Sequence, residues 1–241
     1  MRALIKRTKI GWTLFRLARL LLGRDVLFHK DIRVPTRQIG LGYGAWTVVP
    51  SLIAPEDLAL CFGLGTDILL ESTLAAEFGM SVIGFDPTPA SLQWVATQDI
   101  PNRLTIVPYG LAAHDGTIRF AAPIDSGGVS LSAIREVSGG SFVELQVRTL
   151  NTLRSTYCGG REIALLKMDI EGSEYEVLES LVNEGRLPPQ LLVEFHHRFA
   201  EAGVAKTRHA VRRLRAVGYL VAHVSPNGEE FTFVHKTALR R

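Results

Sequence analysis

The stretch Leu166-Lys167-Met168-Asp169-Ile170-Glu171-Gly172-Ser173-Glu174 passes from apolar residues into three carboxylates within six positions. A buried strand has no structural need for Asp169 and Glu171 at its carboxyl end, which is where α/β proteins open their ligand crevice. A second run, Val193-Glu194-Phe195-His196-His197, repeats the pattern on another apolar segment. Asp169, Glu171 and Glu194 offer charge that can steady a cation. His196 offers an imidazole whose ordinary pKa, near neutrality, suits a general base. His197, one position on, points the other way along a strand and is expected to be structural. Carboxylates with one imidazole also suit Mg, Mn or iron, so a divalent ion on Asp169, Glu194 and His196 is chemically reasonable, although the sequence does not establish it. Glu171 has a competing reading as an acid at the start of the next helix, a role worth about 0.3–1 kcal/mol. Ser173 reads as an N-cap, because no local His or Asp forms a set that would activate it as a nucleophile.

A glycine pair supplies the other half of the chemistry, in Cys61-Phe62-Gly63-Leu64-Gly65-Thr66-Asp67. Glycines let the backbone approach a ligand, and a following helix aims free N–H groups at it. The third glycine of the dinucleotide fingerprint is missing. Asp67 stands near the helix start instead, where it would repel a pyrophosphate but can pair with an ammonium or act as a simple cap. This moves the expected ligand from NAD towards S-adenosylmethionine. Asp86 falls about 20 residues beyond the glycines, the place from which a carboxylate can bind two ribose hydroxyls; the alternative is a turn residue before Pro87.

These groups require a sheet that brings strand ends together. Leu58 to Phe62 reads as a strand, followed by a helix to about Phe78 that Gly79 ends. Ser81 to Phe85 is a second strand, and Thr88-Pro89 reads as cap and first position of a helix to about Thr97. Further strands are expected at Leu104 to Val107, Ile163 to Met168 and Leu191 to Phe195, with helices over about Ser173 to Asn183 and Val204 to Ala216. Tyr219 to Val224 and Glu230 to Val234 form a closing antiparallel pair around Pro226-Asn227-Gly228. Alternation of short apolar runs with helical patterns predicts an α/β fold with a mostly parallel sheet.

With 241 residues and 46% hydrophobic content, one domain can bury a substantial core. Cys61 and Cys158 fit neither a disulfide framework nor paired metal ligands, so a reducing, cytoplasmic setting is expected. Residues 1–37 hold ten Lys or Arg against Asp25 and Asp31, a surplus of eight, whereas the whole chain carries only +3. The basic character therefore belongs to an appendage, and the domain division expected is 1–34 for this extension and 35–241 for the remainder. Within residues 1–24, Ile10, Leu14, Leu17 and Leu21 recur at helical spacing, with Lys9, Arg16 and Arg19 roughly opposite and Trp12 and Leu20 blurring the pattern. Arg16 and Arg19 interrupt the apolar run before the roughly 20 residues that span a bilayer, so neither a transmembrane anchor nor a signal peptide is expected. Two uses remain open: docking on the core or on another subunit, and peripheral contact with a membrane surface.

The motifs Cys61-Phe62-Gly63-Leu64-Gly65-Thr66-Asp67, Phe85-Asp86-Pro87-Thr88-Pro89 and Leu166 to Glu174 together resemble the FkbM-type S-adenosylmethionine-dependent methyltransferases. The resemblance runs from about Gly42 to Val234. It includes Tyr43-Gly44-Ala45-Trp46, Val193-Glu194-Phe195-His196 and Glu230-Phe231-Thr232-Phe233, and leaves the N-terminal helix outside. It implies a class I, Rossmann-like fold of seven strands with the last antiparallel, and O-methylation of a hydroxyl on a sugar, a glycan or glycolipid, or a natural product. It also implies Gly63 and Gly65 under the methionine part of the cofactor, Asp67 nearby and Asp86 on the ribose. Gly110 and Leu111 are the offered adenine contacts, in a chain with no acidic residue immediately at that strand end.

An alcohol is hardly ionised at neutral pH, so its methylation needs a base or a metal. Base methylation of nucleic acid is disfavoured, because Asp169-Ile170-Glu171-Gly172 stands where an Asn/Asp-Pro-Pro-aromatic motif would be. The cluster Lys206, Arg208, Arg212, Arg213 and Arg215 reads as the solvated face of a helix rather than a phosphate site. Tyr43, Trp46 and the Gly/Ser-rich segment from Asp125 to Ser141 are candidates for shaping an acceptor pocket. Two other functions stay in view: a non-catalytic binding or scaffold protein on the same fold, and an NAD-dependent oxidoreductase.

Overall fold

The computed structural model describes residues 16–42, 44–121, 142–199 and 202–240. Its centre is a seven-stranded sheet built from β3 (Leu58–Phe62), β4 (Ser81–Phe85), β5 (Leu104–Val107), β9 (Ile163–Met168), β10 (Gln190–Glu194), β11 (Tyr219–Val224) and β12 (Glu230–His235). The order across the sheet is β11-β12-β10-β9-β3-β4-β5. β10, β9, β3, β4 and β5 are mutually parallel, and β12 runs antiparallel to both of its neighbours. This is the class I α/β sheet expected above. Successive connections leave β3 in one direction and β9 in the other, so the carboxyl ends of these two strands flank the topological switch point, where open α/β sheets bind ligands. Phe62 pairs with Met168 at that end, and the Asp169 N–H donates to the Phe62 carbonyl at 3.1 Å.

All five residues of β3 are buried, as a parallel strand covered on both faces requires. Alternate residues feed different cores: Leu58, Leu60 and Phe62 join one apolar cluster, Ala59 and Cys61 the other. Phe62 stacks on Phe85 at 4.5 Å between centroids, tying β3 to β4 beneath the crevice. Among the described residues beyond the N-terminal segment, the α-helices are α1 (Leu69–Ala76), α2 (Pro89–Val95), α3 (Leu150–Tyr157), α4 (Glu174–Glu184) and α5 (Gly203–Val217). α1 and α2 end two residues before the expected Phe78 and Thr97. Neither Thr88 nor Ser173 makes a side-chain cap bond; the Thr88 hydroxyl donates to Asp86 instead.

Two smaller sheets were not anticipated. β1 (Arg37–Ile39) pairs antiparallel with β2 (Trp46–Val48), and β6 (Gly110–Leu111), β8 (Phe142–Arg148) and β7 (Gly116–Ala121) form a three-stranded sheet in that order. Tyr43 and the segment Asp125 to Ser141 lie outside the described residues, as do residues 1–15 of the basic extension.

The N-terminal segment is tied to the domain further upstream than the expected boundary at 34/35. Asp25 is fully buried and bonds His197 Nε2 and Arg198 Nη2, each at 3.0 Å. Burial alone would raise the Asp25 pKa, but the hydrogen bond from His197 and the charge of Arg198 outweigh it and hold the group at about 2. The Asp31 N–H donates to the Val221 carbonyl at 2.7 Å, and the Asp31 carboxylate accepts from the Val221 N–H at 2.9 Å and pairs with Arg215 at 2.8 Å. Both cysteines are free and buried. Among the described residues no helix is long and apolar enough to cross a membrane.

Candidate active site

The loop from β3 to α1 is shaped by two left-handed glycines. Gly63 has φ +79°, and a Cβ there would stand 1.9 Å from the Asp169 carbonyl oxygen, so only glycine lets the β3 and β9 ends close on each other. Gly65 has φ +55° and nothing within 4 Å of where its Cβ would be, and it lines a cavity. Asp86, at the end of β4, holds this loop. Its Oδ2 accepts from the Leu64 and Gly65 N–H groups at 2.9 Å each, and its Oδ1 accepts from the Thr88 N–H at 2.8 Å and the Thr88 hydroxyl at 2.6 Å. Four donors occupy the acceptor capacity of one carboxylate. Asp86 is therefore a buried loop anchor on the cavity wall, and a ribose hydroxyl would have to replace one of these donors.

The cavity encloses about 210 Å³ and is lined by Gly63, Gly65, Asp86, Asp169 and Glu171 on its polar side. Phe62, Phe85, Leu111, Leu145 and Val147 line it on the apolar side, together with Gly110, which packs between Pro87 and Val147. The offered adenine contacts Gly110 and Leu111 thus border the same cavity as the glycine loop. Leu145 and Val147 come from β8, which the sequence reading missed. The signal was present in the alternation of Val143, Leu145 and Val147 with Glu144, Gln146 and Arg148. A second, smaller cavity of about 70 Å³ meets the first at Gly63, Leu64 and Asp169 and is lined by Asp67, Trp46, Glu71 and Lys167. Asp67 Oδ1 accepts from the Leu69 N–H at 2.9 Å, which makes it a local cap as well as a cavity residue.

Lys167 and Glu71 are buried beneath the loop. Lys167 donates its ammonium to the Gly63 carbonyl and lies 5.1 Å from the Trp46 ring centroid. Burial works against the charge on Lys167, but the carboxylates of Glu71 and Asp169 outweigh it and raise its pKa. Burial raises the Glu71 pKa too, with Lys167 opposing. Trp46, a candidate for the acceptor pocket, instead covers this buried lysine from β2.

His196 follows β10, and its side chain is 9% exposed. Its Nε2 lies 3.6 Å from Asp169 Oδ1 and 3.6 Å from Glu171 Oε2, and its Nδ1 lies 3.4 Å from Glu174 Oε1. Glu174 is fully buried and clamps both sides of the site: Oε1 accepts the His196 N–H at 2.9 Å and Oε2 accepts the Gly172 N–H at 2.8 Å. A carboxylate at Nδ1 favours the tautomer that leaves Nε2 facing Asp169 and Glu171. Burial would lower the imidazole's pKa, but Glu174, Asp169 and Glu194 raise it to about 10. The expectation of a group poised near neutrality therefore changes: the neighbouring carboxylates favour the imidazolium form of His196. Burial, with the Asp169 charge, pushes the Glu194 pKa up, and the charge of His196 opposes the rise.

Glu171 is the residue whose reading changes most. Its backbone is left-handed at φ +51°, a conformation uncommon outside glycine, and α4 begins only at Glu174. It is not a first-turn acid; its carboxylate faces His196. The helix-start role that was open for it falls to Glu174, which no sequence signal separated from an ordinary cap. The metal set changes in the same way. Among the described residues, the group whose ligand atoms converge, all within 4.8 Å, is Asp169, Glu171 and His196, with Glu171 in the place expected for Glu194. His197 is buried against Asp25, as a structural residue.

The basic residues of α5 behave as a surface face. Arg213 pairs with Glu179 at 2.8 Å and Arg215 with Asp31. A groove of about 300 Å³ between α4 and α5 is lined by Tyr175, Lys206, His209 and Arg213, away from the glycine loop.

Comparison with known proteins adds the family. Residues 58–221 match the model of the methyltransferase FkbM domain. No curated protein matches the chain. Among solved structures it is similar to a putative rRNA-methylase from Clostridium thermocellum, with 8% identity, 78% of this chain and 90% of that chain covered and a TM-score of 0.41. It is also similar to a TehB-like SAM-dependent methyltransferase from Corynebacterium glutamicum, with 14% identity, coverage of 77% and 84% and a TM-score of 0.38. A third similar structure is Aeropyrum pernix fibrillarin in complex with S-adenosyl-L-methionine, with 11% identity, coverage of 92% and 75% and a TM-score of 0.38.

Proposed function

Since the chain belongs to the FkbM methyltransferase family, a family of S-adenosylmethionine-dependent enzymes, we propose that it methylates a hydroxyl oxygen of a sugar, a glycan or glycolipid, or a natural product. The observation that carries this reading is the imidazole of His196, clamped by Glu174 and 3.6 Å from both Asp169 and Glu171, two carboxylates that line the cavity beside the glycine loop. The cavity's chemistry fits the cofactor. The open side of Gly65 leaves room for a ligand against the backbone, the apolar wall suits a flat ring, and Asp169 with Glu171 suits a positive centre. Gly63, Gly65, Asp67 and Asp86 would hold its amino-acid and ribose parts, and Gly110 and Leu111 would border its adenine.

S-Adenosylmethionine, when bound, supplies an electrophilic methyl group on a positively charged sulfur. On the protein's side, Asp169 and Glu171 attract positive charge, and any cation brought against them weakens the hold of His196 Nε2 on its proton. Nε2 can then take the proton from an acceptor hydroxyl, and Glu174 steadies the imidazolium that results. Asp169 can orient the same hydroxyl. A positioned base of this kind contributes about 10²–10⁴-fold in rate.

The test is mass spectrometry of a glycan and metabolite extract incubated with the protein and methyl-labelled cofactor, followed by location of the label in the product. The expected label is on oxygen. His196→Gln should lose roughly 10²–10⁴-fold in turnover while binding S-adenosylhomocysteine within a few-fold of the parent, whereas Asp86→Asn should weaken that binding. Label on nitrogen, or full turnover in His196→Gln, defeats the proposal.

A further inference from the structure

The helical segment at residues 16–21 lies on the domain with its polar side inward. At 100° per residue, Arg16, Arg19 and Leu20 share one face, and these are its half-buried residues. Arg16 donates to the carbonyls of Pro226 and Val26, and Arg19 reaches the Arg24 carbonyl and the buried Asp25 carboxylate. The opposite face carries Leu17, Ala18 and Leu21, all exposed, with Leu17 at 51% and Leu21 at 82%. Leu22, at 68%, and Leu27, at 61%, continue the exposed apolar surface along the chain. An amphipathic helix that only docked on its own core would bury its leucines and expose its arginines. Here the acids Asp25 and Glu229 draw the arginines inward, and the leucines are left outside.

The charge around this face fits one occupant. Arg24, Lys30 and Arg33 are exposed in the same segment of the chain, while the segment's two acids are spent, Asp25 in the interior and Asp31 on Arg215. Leucines that can enter the acyl boundary, rimmed by cations that can meet headgroup phosphates, are the composition of a helix lying in a membrane interface. We propose that residues 17–33 form a peripheral docking surface for an anionic lipid bilayer, with Leu17, Leu21, Leu22 and Leu27 as its apolar contacts and Arg24, Lys30 and Arg33 as its charged rim. This stands on the orientation of the helix and not on the methyl-transfer reading.

The experiment is flotation of the full chain with vesicles of phosphatidylcholine containing 30% phosphatidylglycerol, and with vesicles of phosphatidylcholine alone. The bound fraction should be high only on the anionic vesicles and should fall as salt is raised. The variant Leu17→Glu/Leu21→Glu, at two exposed positions, should bind them at least tenfold more weakly while keeping the parent's melting temperature, and Arg24→Glu/Lys30→Glu should lose the preference for anionic lipid. Sedimentation of parent and leucine variant should give the same molecular mass. The inference is overturned if the parent ignores both vesicle types or if the leucine variant binds unchanged. It is equally overturned if the parent is a dimer that the variant dissociates, which would give this face to a second copy.

Discussion

Gly63 and Gly65 are two residues apart, share a left-handed backbone and belong to one loop, yet alanine at each should fail for a different reason. A left-handed alanine costs about 1–2 kcal/mol at either position. At Gly65 nothing stands within 4 Å of the new methyl group, so that is nearly the whole folding cost. For a domain of this size it is a drop of about 2–8 °C in melting temperature. The methyl group would occupy cavity space, so S-adenosylhomocysteine should bind at least about tenfold more weakly, or about 1.4 kcal/mol. At Gly63 the methyl carbon would sit 1.9 Å from the Asp169 oxygen, well inside contact distance, and β3 and β9 would have to part. Overpacking adds about 1–3 kcal/mol or more, for a total of about 2–5 kcal/mol or more and a drop of about 4–20 °C. Thermal melts and titration calorimetry on both variants read the difference. If Gly65→Ala binds the ligand like the parent, the cavity does not hold the cofactor; if Gly63→Ala melts no lower than Gly65→Ala, the close approach of the two strands is wrong.

The Asp25 pKa of about 2 lies below its unfolded value, so it contributes stability above pH 4 that is lost as the pH falls towards 2. The shift is worth about 2 kcal/mol at pH 7 and roughly half that at pH 3. Urea unfolding should show Asp25→Asn destabilised by about that amount at pH 7, with the gap to the parent closing in acid; a pH-independent gap would refute the ion network as its source. Lys167→Met strands Glu71 in the interior and should cost about 3–5 kcal/mol, most of it regained by adding Glu71→Leu; strictly additive losses in that double-mutant cycle would show the two groups to be uncoupled. Dialysis against EDTA should leave turnover unchanged where His196 is the base, whereas loss restored by Mn²⁺ would move the role to an ion on Asp169, Glu171 and His196.

Much of the parallel sheet was legible because its strands are largely apolar runs, closed by glycine or proline after β3, β4 and β5 and by acids at the ends of β9 and β10. Gly63, Gly65, Asp86, Asp169 and His196 were legible because they stand where those runs stop. What escaped depended on long-range partners. Glu174 looks like any acid at a helix start until His196, 22 residues away, is folded against it. Glu171 stayed ambiguous because its left-handed backbone is set by the turn into α4 rather than by a residue preference. Lys167 sits within an apolar strand, and only Glu71 from α1 and the Gly63 carbonyl explain a buried ammonium there. Residues 16–21 are helical, as the spacing predicts, but the side they turn inward is chosen by Asp25 and Glu229, which helical periodicity cannot weigh.

The tie between Asp31 and Val221 has a consequence for solubility. β11 ends the main sheet, and an edge strand presents open amides and carbonyls on which another chain can template a pairing. Asp31 occupies both the carbonyl and the N–H of Val221, the first with its backbone and the second with its side chain, and its charge sits on the rim where an incoming strand would have to lie. The N-terminal segment thereby acts as a guard on the sheet's border. Truncation before Asp25 keeps that guard, whereas truncation through Val34 removes it, and only the second should turn a monodisperse protein into one that self-associates through its exposed edge.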